Sequence, residues 1–259
     1  MDFQWFLDAV LLDYHRLFHF DPSNIKYVVS DDMFRDYSIF NPAVDVKERD
    51  AINENNGIMI CPNEFTDSFV VLINKIKMVK YLEKQNMTWI GTIAHETTHV
   101  KDYSDYASLT GIHDFGMLQQ TDKHLPFQLW TEFHARAVGY YFVRKYTLLE
   151  DLYNDEVIEG IVSQELPNQT ALFLQKYHET NDGFQQAYFA SHYLGRLYTL
   201  QKLYPSFFTD KWLKEMPVFN ENKWLNDWYW FLKRNDTLQK AYNHFEEMKD
   251  ILRQNFSGI

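Results

Sequence analysis

The sequence predicts an α+β fold, in which a small antiparallel or mixed sheet packs on a predominantly helical body. Extended β-branched runs occur before residue 75, whereas apolar residues at helical spacing dominate from residue 87 onward. No linker resembling a domain boundary separates the two regions, and 259 residues can bury a substantial core. We therefore predict one domain over residues 1–259.

The N-terminal part, residues 1–86, is predicted to contain one helix followed by strands. Residues 1–19 show the apolar spacing of an amphipathic helix. Three runs read as strands: IKYVVS at 25–30, GIMIC at 57–61 and SFVVLIN at 68–74. The segment Pro62-Asn63-Glu64 favours a turn between the last two runs.

From residue 87 onward the sequence predicts helices. Residues 87–147 should hold two long helices, the first capped by Asn86 or Thr88 and the second opening at Pro126. In the C-terminal part, 148–259, we predict helices near 148–163, 169–179, 183–204, 220–234 and 236–254. Breaks are expected at Asn181-Asp182-Gly183 and between Pro205 and Pro217.

Composition argues against several classes of partner and location. A formal net charge of −11 disfavours binding to nucleic acid or to an anionic membrane. The single cysteine, Cys61, excludes an intramolecular disulfide and is typical of a reducing compartment. The N-terminus lacks the positive segment of a signal peptide, and no apolar run approaches the roughly 18 residues of a membrane span. These features predict a cytoplasmic protein.

The most informative pattern is H-E-x-x-H, formed by His95, Glu96 and His99 within TWIGTIAHETTHVKDY. Residues four apart share one face of a helix, so both imidazoles can reach one metal ion while Glu96 projects beside them. A catalytic Zn²⁺ takes three protein ligands and a water, whose pKa it lowers toward about 7. Glu96 would take the proton of that water and deliver it to the leaving amine. The alternative is an ordinary helix with two hydrogen-bonded histidines and an exposed glutamate.

A third ligand has to come from the side chains that follow the motif. The metal-binding residue types there are Asp102, Asp105, His113, Asp114, His124, Glu132 and His134. Glu132 lies on the second predicted helix, 33 positions after His99, and a later helix commonly supplies the acidic ligand of a His, His, Glu site. His134 is two positions further on and faces a different direction. We therefore predict that Glu132 is the third ligand.

Other residues are candidates for supporting roles. Asp102 shares the helix face of His99, so it could orient a ligand imidazole; the alternative is a solvated carboxylate at the helix end. An oxyanion donor is also needed, and His192 and Tyr193 are candidates because they lie among residues expected to pack inward. His134 and Tyr140 compete for that role, and packing is the alternative for each of these side chains.

With these residues the chain resembles the gluzincin branch of the zincin metallopeptidases, in which H-E-x-x-H lies on one helix and a glutamate ligand on the next. The matching residues are His95, Glu96, His99 and Glu132, the last within Glu132-Phe133-His134-Ala135-Arg136. Glutamate followed three positions later by alanine looks like the second motif of several such families, including the ImmA/IrrE-like peptidases of bacteria and phages. The resemblance covers residues 57–147. It implies a zincin-like fold, zinc held by the two histidines and Glu132, Glu96 as the base, and a peptide or protein substrate.

Two departures qualify the resemblance. Thr97 and Thr98 stand where such families usually have hydrophobic residues. The metzincin branch would place a glycine three residues after the second histidine and a ligand three beyond it, where this chain has Asp102 and Asp105. Without the glycine the chain has no obvious means of turning out of the helix, so Asp105 ranks well behind Glu132.

Two further classes of function stay open from the sequence. The site could serve a hydrolase acting on something other than a peptide, or a binding or regulatory protein that keeps the metal for structure. Glu96 favours catalysis, since a purely structural zinc has no use for a base. If one of the strands at 57–61 and 68–74 forms the sheet edge above the metal, it could bind an extended peptide by strand addition.

Overall fold

The computed structural model describes residues 3–148 and 155–256, and the chain divides into two compact units. The N-terminal unit comprises residues 1–121 and the C-terminal unit residues 122–259. The structure is 74% helical with one three-stranded mixed sheet, which confirms the α+β class. The boundary between the units falls inside the segment 87–147, which the sequence analysis assigned to one part of the chain. That the whole chain forms a single domain stays a prediction.

The N-terminal unit contains the sheet and the motif helix. Its helices are α1 (Phe3–Phe18), α2 (Met33–Phe40), α3 (Arg49–Asn53), α4 (Lys75–Glu83), α5 (Thr88–Thr110) and α6 (Phe115–Gln119). Its strands are β1 (Ile25–Ser30), β2 (Gly57–Ile60) and β3 (Phe69–Asn74). The N-terminal helix and all three strands predicted from the sequence are present. The described end of the helix and the ends of the strands differ from the predicted ones by at most one residue, and the first two residues of the predicted helix lie outside the described residues.

The sheet has the order β1-β3-β2, so β3 lies in the centre. β1 runs parallel to β3, with Ile25 opposite Phe69, and β2 runs antiparallel to it, with Gly57 opposite Ile73. Every residue of β3 is buried, which explains its uninterrupted apolar sequence. Because β3 is the central strand, β1 and β2 are the outer strands of the sheet.

Helices cover both faces of this sheet. On one face, Val70 and Leu72 of β3 join a core cluster with Met33, Phe34 and Ile52 from α2 and α3. Side chains alternate along a strand, so the other residues of β3 point to the opposite face, where α5 packs. Helices α1 and α4 pack in turn against α5. The motif helix is thus enclosed within its own unit.

Helix α5 runs without interruption well beyond the motif. The N-cap of α5 is Met87, which makes no side-chain capping bond, so neither Asn86 nor Thr88 occupies the predicted cap position. Asn86, one residue earlier, accepts hydrogen bonds from the backbone nitrogen of Thr88 at 2.8 Å and from its hydroxyl. The helix ends at Gly111, whose φ of +71° lies in the left-handed region that glycine adopts without strain. The chain therefore makes no turn directly after His99.

The C-terminal unit is helical throughout its described residues. Its helices are α7 (His124–Leu148), α8 (Asp155–Gly160), α9 (Leu166–Glu179), α10 (Gly183–Leu203), α11 (Asp210–Glu215), α12 (Pro217–Glu221), α13 (Lys223–Arg234), α14 (Leu238–Asn243) and α15 (Phe245–Asn255). None of the helices within residues 3–148 and 155–256 has the length and apolar character needed to cross a membrane.

Some predicted boundaries in this unit are wrong. Residues 149–154 of the helix predicted at 148–163 lie outside the described residues. From Asp155 the chain is helical through α8 and a π-helical turn, Ile161–Glu165, into α9. Pro167 does not break it, since it lies in the first turn of α9. The interval between Pro205 and Pro217 contains α11, whose N-terminus Thr209 caps. The two C-terminal predicted helices are each divided in two, at Asn222 and at His244.

Helices α7 and α10 approach closely at Gly195. A Cβ at this position would lie 2.5 Å from the carbonyl oxygen of Phe133 and 3.0 Å from Cβ of Arg136, so no larger residue fits without a shift. One turn further on, the Thr199 hydroxyl donates to the carbonyl oxygen of Ala137 at 2.8 Å. This contact brings the middle of α7 next to the middle of α10.

Candidate metal centre

The two histidines of the motif lie on one face of α5, and their Nε2 atoms are close together. His95 and His99 are 7% and 6% exposed, and their Nε2 atoms are 3.1 Å apart. Zinc–nitrogen bonds of about 2.0–2.1 Å in tetrahedral geometry place two ligand nitrogens about 3.3–3.4 Å apart. The spacing of the two Nε2 atoms therefore suits two ligands of one zinc ion.

Glu96 is held against the outer strand β2. Its Oε2 accepts a hydrogen bond from the backbone nitrogen of Met59 at 2.9 Å. The backbone nitrogen of Asn74 donates to the carbonyl oxygen of Asn56, so these two residues form a hydrogen-bonded pair of the antiparallel strands. Hydrogen-bonded and non-hydrogen-bonded pairs alternate along such strands, and Met59 opposite Val71 belongs to the second kind. The Met59 N–H therefore points away from β3. The carboxylate of Glu96 thus lies at the outer edge of the sheet.

Gly57 makes this contact possible. A Cβ on Gly57 would lie 2.7 Å from Cγ2 of Thr92 and 3.0 Å from Cγ of Glu96. Contacts this short require the side chains of α5 to move, and the β-branched Thr92 has little rotamer freedom in a helix. Sequence reasoning identified the strand but not the need for glycine within it, because that need arises only from the packing of α5 on β2.

We expect Gly57→Ala to displace Glu96 and to lower the free energy of unfolding by about 1–3 kcal/mol, the usual cost of overpacking. Denaturant titration measures the stability. Gly160→Ala is the matched control, since a Cβ there meets nothing within 4 Å. Unchanged stability in Gly57→Ala would show that the contact is not restrictive.

The two threonines inside the motif are buried and hydrogen-bonded. Thr97 Oγ1 donates to the carbonyl oxygen of Ile93 at 2.7 Å, and the Tyr27 hydroxyl lies 2.8 Å from it. Thr98 Oγ1 donates to the carbonyl oxygen of Ala94 and accepts from the Tyr14 hydroxyl at 3.0 Å. Burial raises the pKa of both tyrosines, so they act as protonated donors. The threonines therefore attach α5 to α1 and β1.

The two aspartates that follow the motif have different environments. Asp102 is 1% exposed, so the solvated-carboxylate alternative for it is wrong. Burial is the main reason that the pKa of Tyr14 is raised, and the negative charge of Asp102 adds to this effect. Asp105 forms an ion pair with Lys101 on the helix surface, and its side chain is 48% exposed. Because α5 continues past both residues, Asp105 is not turned back toward the histidines.

The remaining downstream candidates occupy ordinary structural positions. Asp114 caps α6 by accepting from the backbone nitrogen of Met117. His113 is exposed, and the ring of His134 stacks on Trp130 with centroids 5.0 Å apart. His124 is buried, which lowers its pKa. None of these positions shows the paired donor atoms found at His95 and His99.

In the C-terminal unit, Glu132 of α7 pairs with His192 of α10. Oε2 of Glu132 lies 3.3 Å from Nε2 of His192, and their side chains are 16% and 23% exposed. The Arg136 guanidinium lies within 2.9 Å of both ring nitrogens of His192, and Tyr188 stacks on the ring. The sequence singled out each of the two residues but not their pairing, which the close approach at Gly195 creates.

The tyrosines proposed as oxyanion donors make hydrogen bonds within the C-terminal unit. The Tyr193 hydroxyl lies 2.8 Å from Thr170 Oγ1, its ring stacks on Phe173, and burial raises the pKa of Tyr193 to about 12. Tyr140 donates to Glu165 at 2.6 Å and accepts from Arg144. Both hydroxyls therefore serve the packing of α7, α9 and α10.

Each unit thus contains a pair of side chains that offer atoms suited to a metal ion. The pair is His95 with His99 in the N-terminal unit and Glu132 with His192 in the C-terminal unit. No family model, curated protein or solved structure matches the chain, so its functional assignment depends on these side chains.

Proposed function

We propose that the protein is a zinc-dependent peptidase that hydrolyses peptide bonds with a metal-activated water. The observation that carries this proposal is the 3.1 Å spacing of two buried Nε2 atoms, four residues apart on one helix, with a carboxylate between them in sequence. His95, His99 and Glu132 would hold the zinc. When bound, zinc lowers the pKa of its water toward about 7 and polarises a carbonyl group.

Glu96 has the position required of a general base. The hydrogen bond from the Met59 N–H to Oε2 fixes the orientation of the Glu96 carboxylate. Glu96 would take a proton from the attacking water and pass it to the leaving amine. A structural zinc site has no use for such a base, which favours catalysis over a purely structural role.

The outer strand β2 favours a peptide as the substrate. An extended peptide can add to an exposed sheet edge through main-chain hydrogen bonds. β2 is at the edge of the sheet, and Glu96 contacts that same edge at Met59. A peptide paired with β2 would therefore have its backbone beside the proposed base.

His192 is the candidate for stabilising the oxyanion that forms at the attacked carbonyl. Its Nε2 lies 3.3 Å from Glu132, and Arg136 contacts the same ring. An imidazole held in place by two charged neighbours can donate to an oxyanion at little cost in reorganisation.

Cys61 is the single cysteine of the chain, and this supports the cytoplasm as the proposed location.

Metal removal tests the proposal. We expect the zinc-loaded protein to cleave members of a mixture of unstructured peptides, with products identified by mass spectrometry. A chelator should abolish cleavage, and added zinc should restore it whereas magnesium should not, because the donors are imidazole-rich. Cleavage that survives chelation would contradict the mechanism. Zinc bound without cleavage of any peptide or model ester would favour a binding or regulatory protein instead.

A further inference from the structure

A small groove lies between α9 and α10 in the C-terminal unit. It is lined by Leu172, Phe173 and Lys176 of α9 and by Phe189, His192 and Arg196 of α10. These residues follow the same helical spacing on both helices, so each helix contributes one stripe to the groove. Its volume of about 60 Å³ is enough for a few water-sized groups.

The groove carries positive charge that no acidic side chain neutralises. Within residues 3–148 and 155–256, no carboxylate forms an ion pair with Arg196 or Lys176. Arg196 is partly buried, and burial lowers the pKa of its guanidinium. The nearby Glu165 is already engaged by Arg144, Tyr140 and Gln169. An unneutralised cation is notable in a chain with a net charge of −11.

The chemistry of the groove suits a carboxylate attached to an apolar group. A planar guanidinium binds a carboxylate through two parallel hydrogen bonds. The aromatic rings of Phe173 and Phe189 provide apolar walls, with the Lys176 ammonium 5.4 Å from the Phe189 ring centre. An anion bound there would compensate the cost of keeping Arg196 partly out of water.

We propose that this groove binds the C-terminal carboxylate of a peptide substrate, which makes the protein a carboxypeptidase. The proposal rests on the proposed function above. His192 lines the groove and also contacts Glu132, a proposed zinc ligand. Arg196 lies one helical turn beyond His192, about 5–6 Å along the axis. Adjacent residues of an extended peptide are about 3.8 Å apart, so only the last residue fits between the two.

A binding experiment on the full-length protein without added zinc tests the groove independently of hydrolysis. N-acetyl-phenylalanine and its C-terminal amide are the probes, with isothermal titration calorimetry as the measurement. We expect the carboxylate to bind at least 10-fold more tightly than the amide. Arg196→Met should abolish this preference, and Lys176→Gln should weaken it several-fold. Arg253→Met and Lys211→Gln, whose side chains are largely exposed elsewhere, should match wild type.

The melting temperature of Arg196→Met distinguishes a binding role from a structural one. Because Arg196 has no ion-pair partner among the described residues, its replacement should leave the melting temperature unchanged or raise it. If Arg196→Met unfolds, Arg196→Lys replaces it in the test: this variant keeps the charge but not the planar guanidinium, so it should fold and show a weaker preference for the carboxylate than wild type does. Equal binding of the acid and the amide, or equal competition by inorganic phosphate, would overturn the carboxylate site.

A second arm connects the groove to the substrate. The zinc-loaded protein should release the last residue of peptides with a free C-terminus at least 10-fold faster than from amidated peptides, and Arg196→Met should remove the difference. Internal cleavage regardless of the C-terminus would keep the peptidase and overturn the carboxypeptidase. Carboxylate binding through Arg196 without any peptide cleavage would overturn the proposed function and, with it, the assignment of a peptide ligand.

Discussion

We expect the wild-type protein to bind about one zinc ion per chain, and His99→Ala and Glu132→Ala each to lose it. Each change removes one of three ligands, and we expect zinc affinity to fall on the order of 10³-fold. Elemental analysis after dialysis against a weak chelator measures the bound metal. Asp105→Asn and His134→Ala are matched controls, since they remove an acidic and an imidazole side chain on the same two helices, and both should retain the ion.

Each departure from this pattern identifies a different error. Retention of zinc by Glu132→Ala together with its loss in His192→Ala would assign the third ligand to His192, which lies 3.3 Å from Glu132. Retention in His192→Ala with slower hydrolysis would support the oxyanion role. A wild-type protein that takes up no zinc, even when zinc is added, would make H-E-x-x-H an accident of sequence.

Glu96→Gln should retain zinc and lose peptide hydrolysis. The glutamine side chain has the same shape and its carbonyl oxygen can accept from Met59, so the local structure should persist. It cannot accept a proton from water, and loss of a general base costs about 10²–10⁴-fold in rate. Steady-state hydrolysis at saturating zinc is the measurement. Glu83→Gln, at an exposed position of α4, is the control and should match wild type.

Hydrolysis by Glu96→Gln at the wild-type rate would show that another group accepts the proton. Loss of both hydrolysis and zinc would indicate instead that Glu96 binds the metal. The second result is not expected, because Glu96 follows His95 directly and its carboxylate contacts the sheet edge. The two variants together therefore separate the metal ligands from the base.

The elements of this chain could be predicted well where local pattern decides them. Each of the three strands is a short apolar run bounded by turn residues, and the bounds of β1 and the presence of α5 follow from such local signals. The end of α5 was not predicted, since Asp102 was placed at the helix end and the helix continues to Thr110. The sheet order could not be predicted, because it depends on long-range pairing of β1 with β3 across the intervening helices. The continuous helix from α8 through α9 was also missed, since a π-helical turn has no pattern of its own in the sequence.

The candidate site shows the same division. The closeness of the His95 and His99 side chains follows from their spacing of four residues, which the sequence shows directly. The roles of Gly57 and Met59 could not be predicted from the sequence. Gly57 provides space for the Glu96 side chain and Met59 provides a backbone N–H, and only the fold brings these groups to Glu96. The pairing of Glu132 with His192 joins residues 60 positions apart, beyond any local pattern.

The hydroxyl pairs at Thr97 and Thr98 have a consequence for how the protein acquires metal. Rotation of α5 about its axis would break the hydrogen bonds to Tyr27 and Tyr14, so these bonds fix the orientation of the helix face that carries His95 and His99. The part of the proposed zinc site that lies on α5 would therefore be ordered without the ion, in contrast to zinc fingers, which are unfolded without metal. Zinc would then bind to the folded protein and dissociate from it without unfolding the chain, so the occupancy of the site would follow the concentration of free zinc.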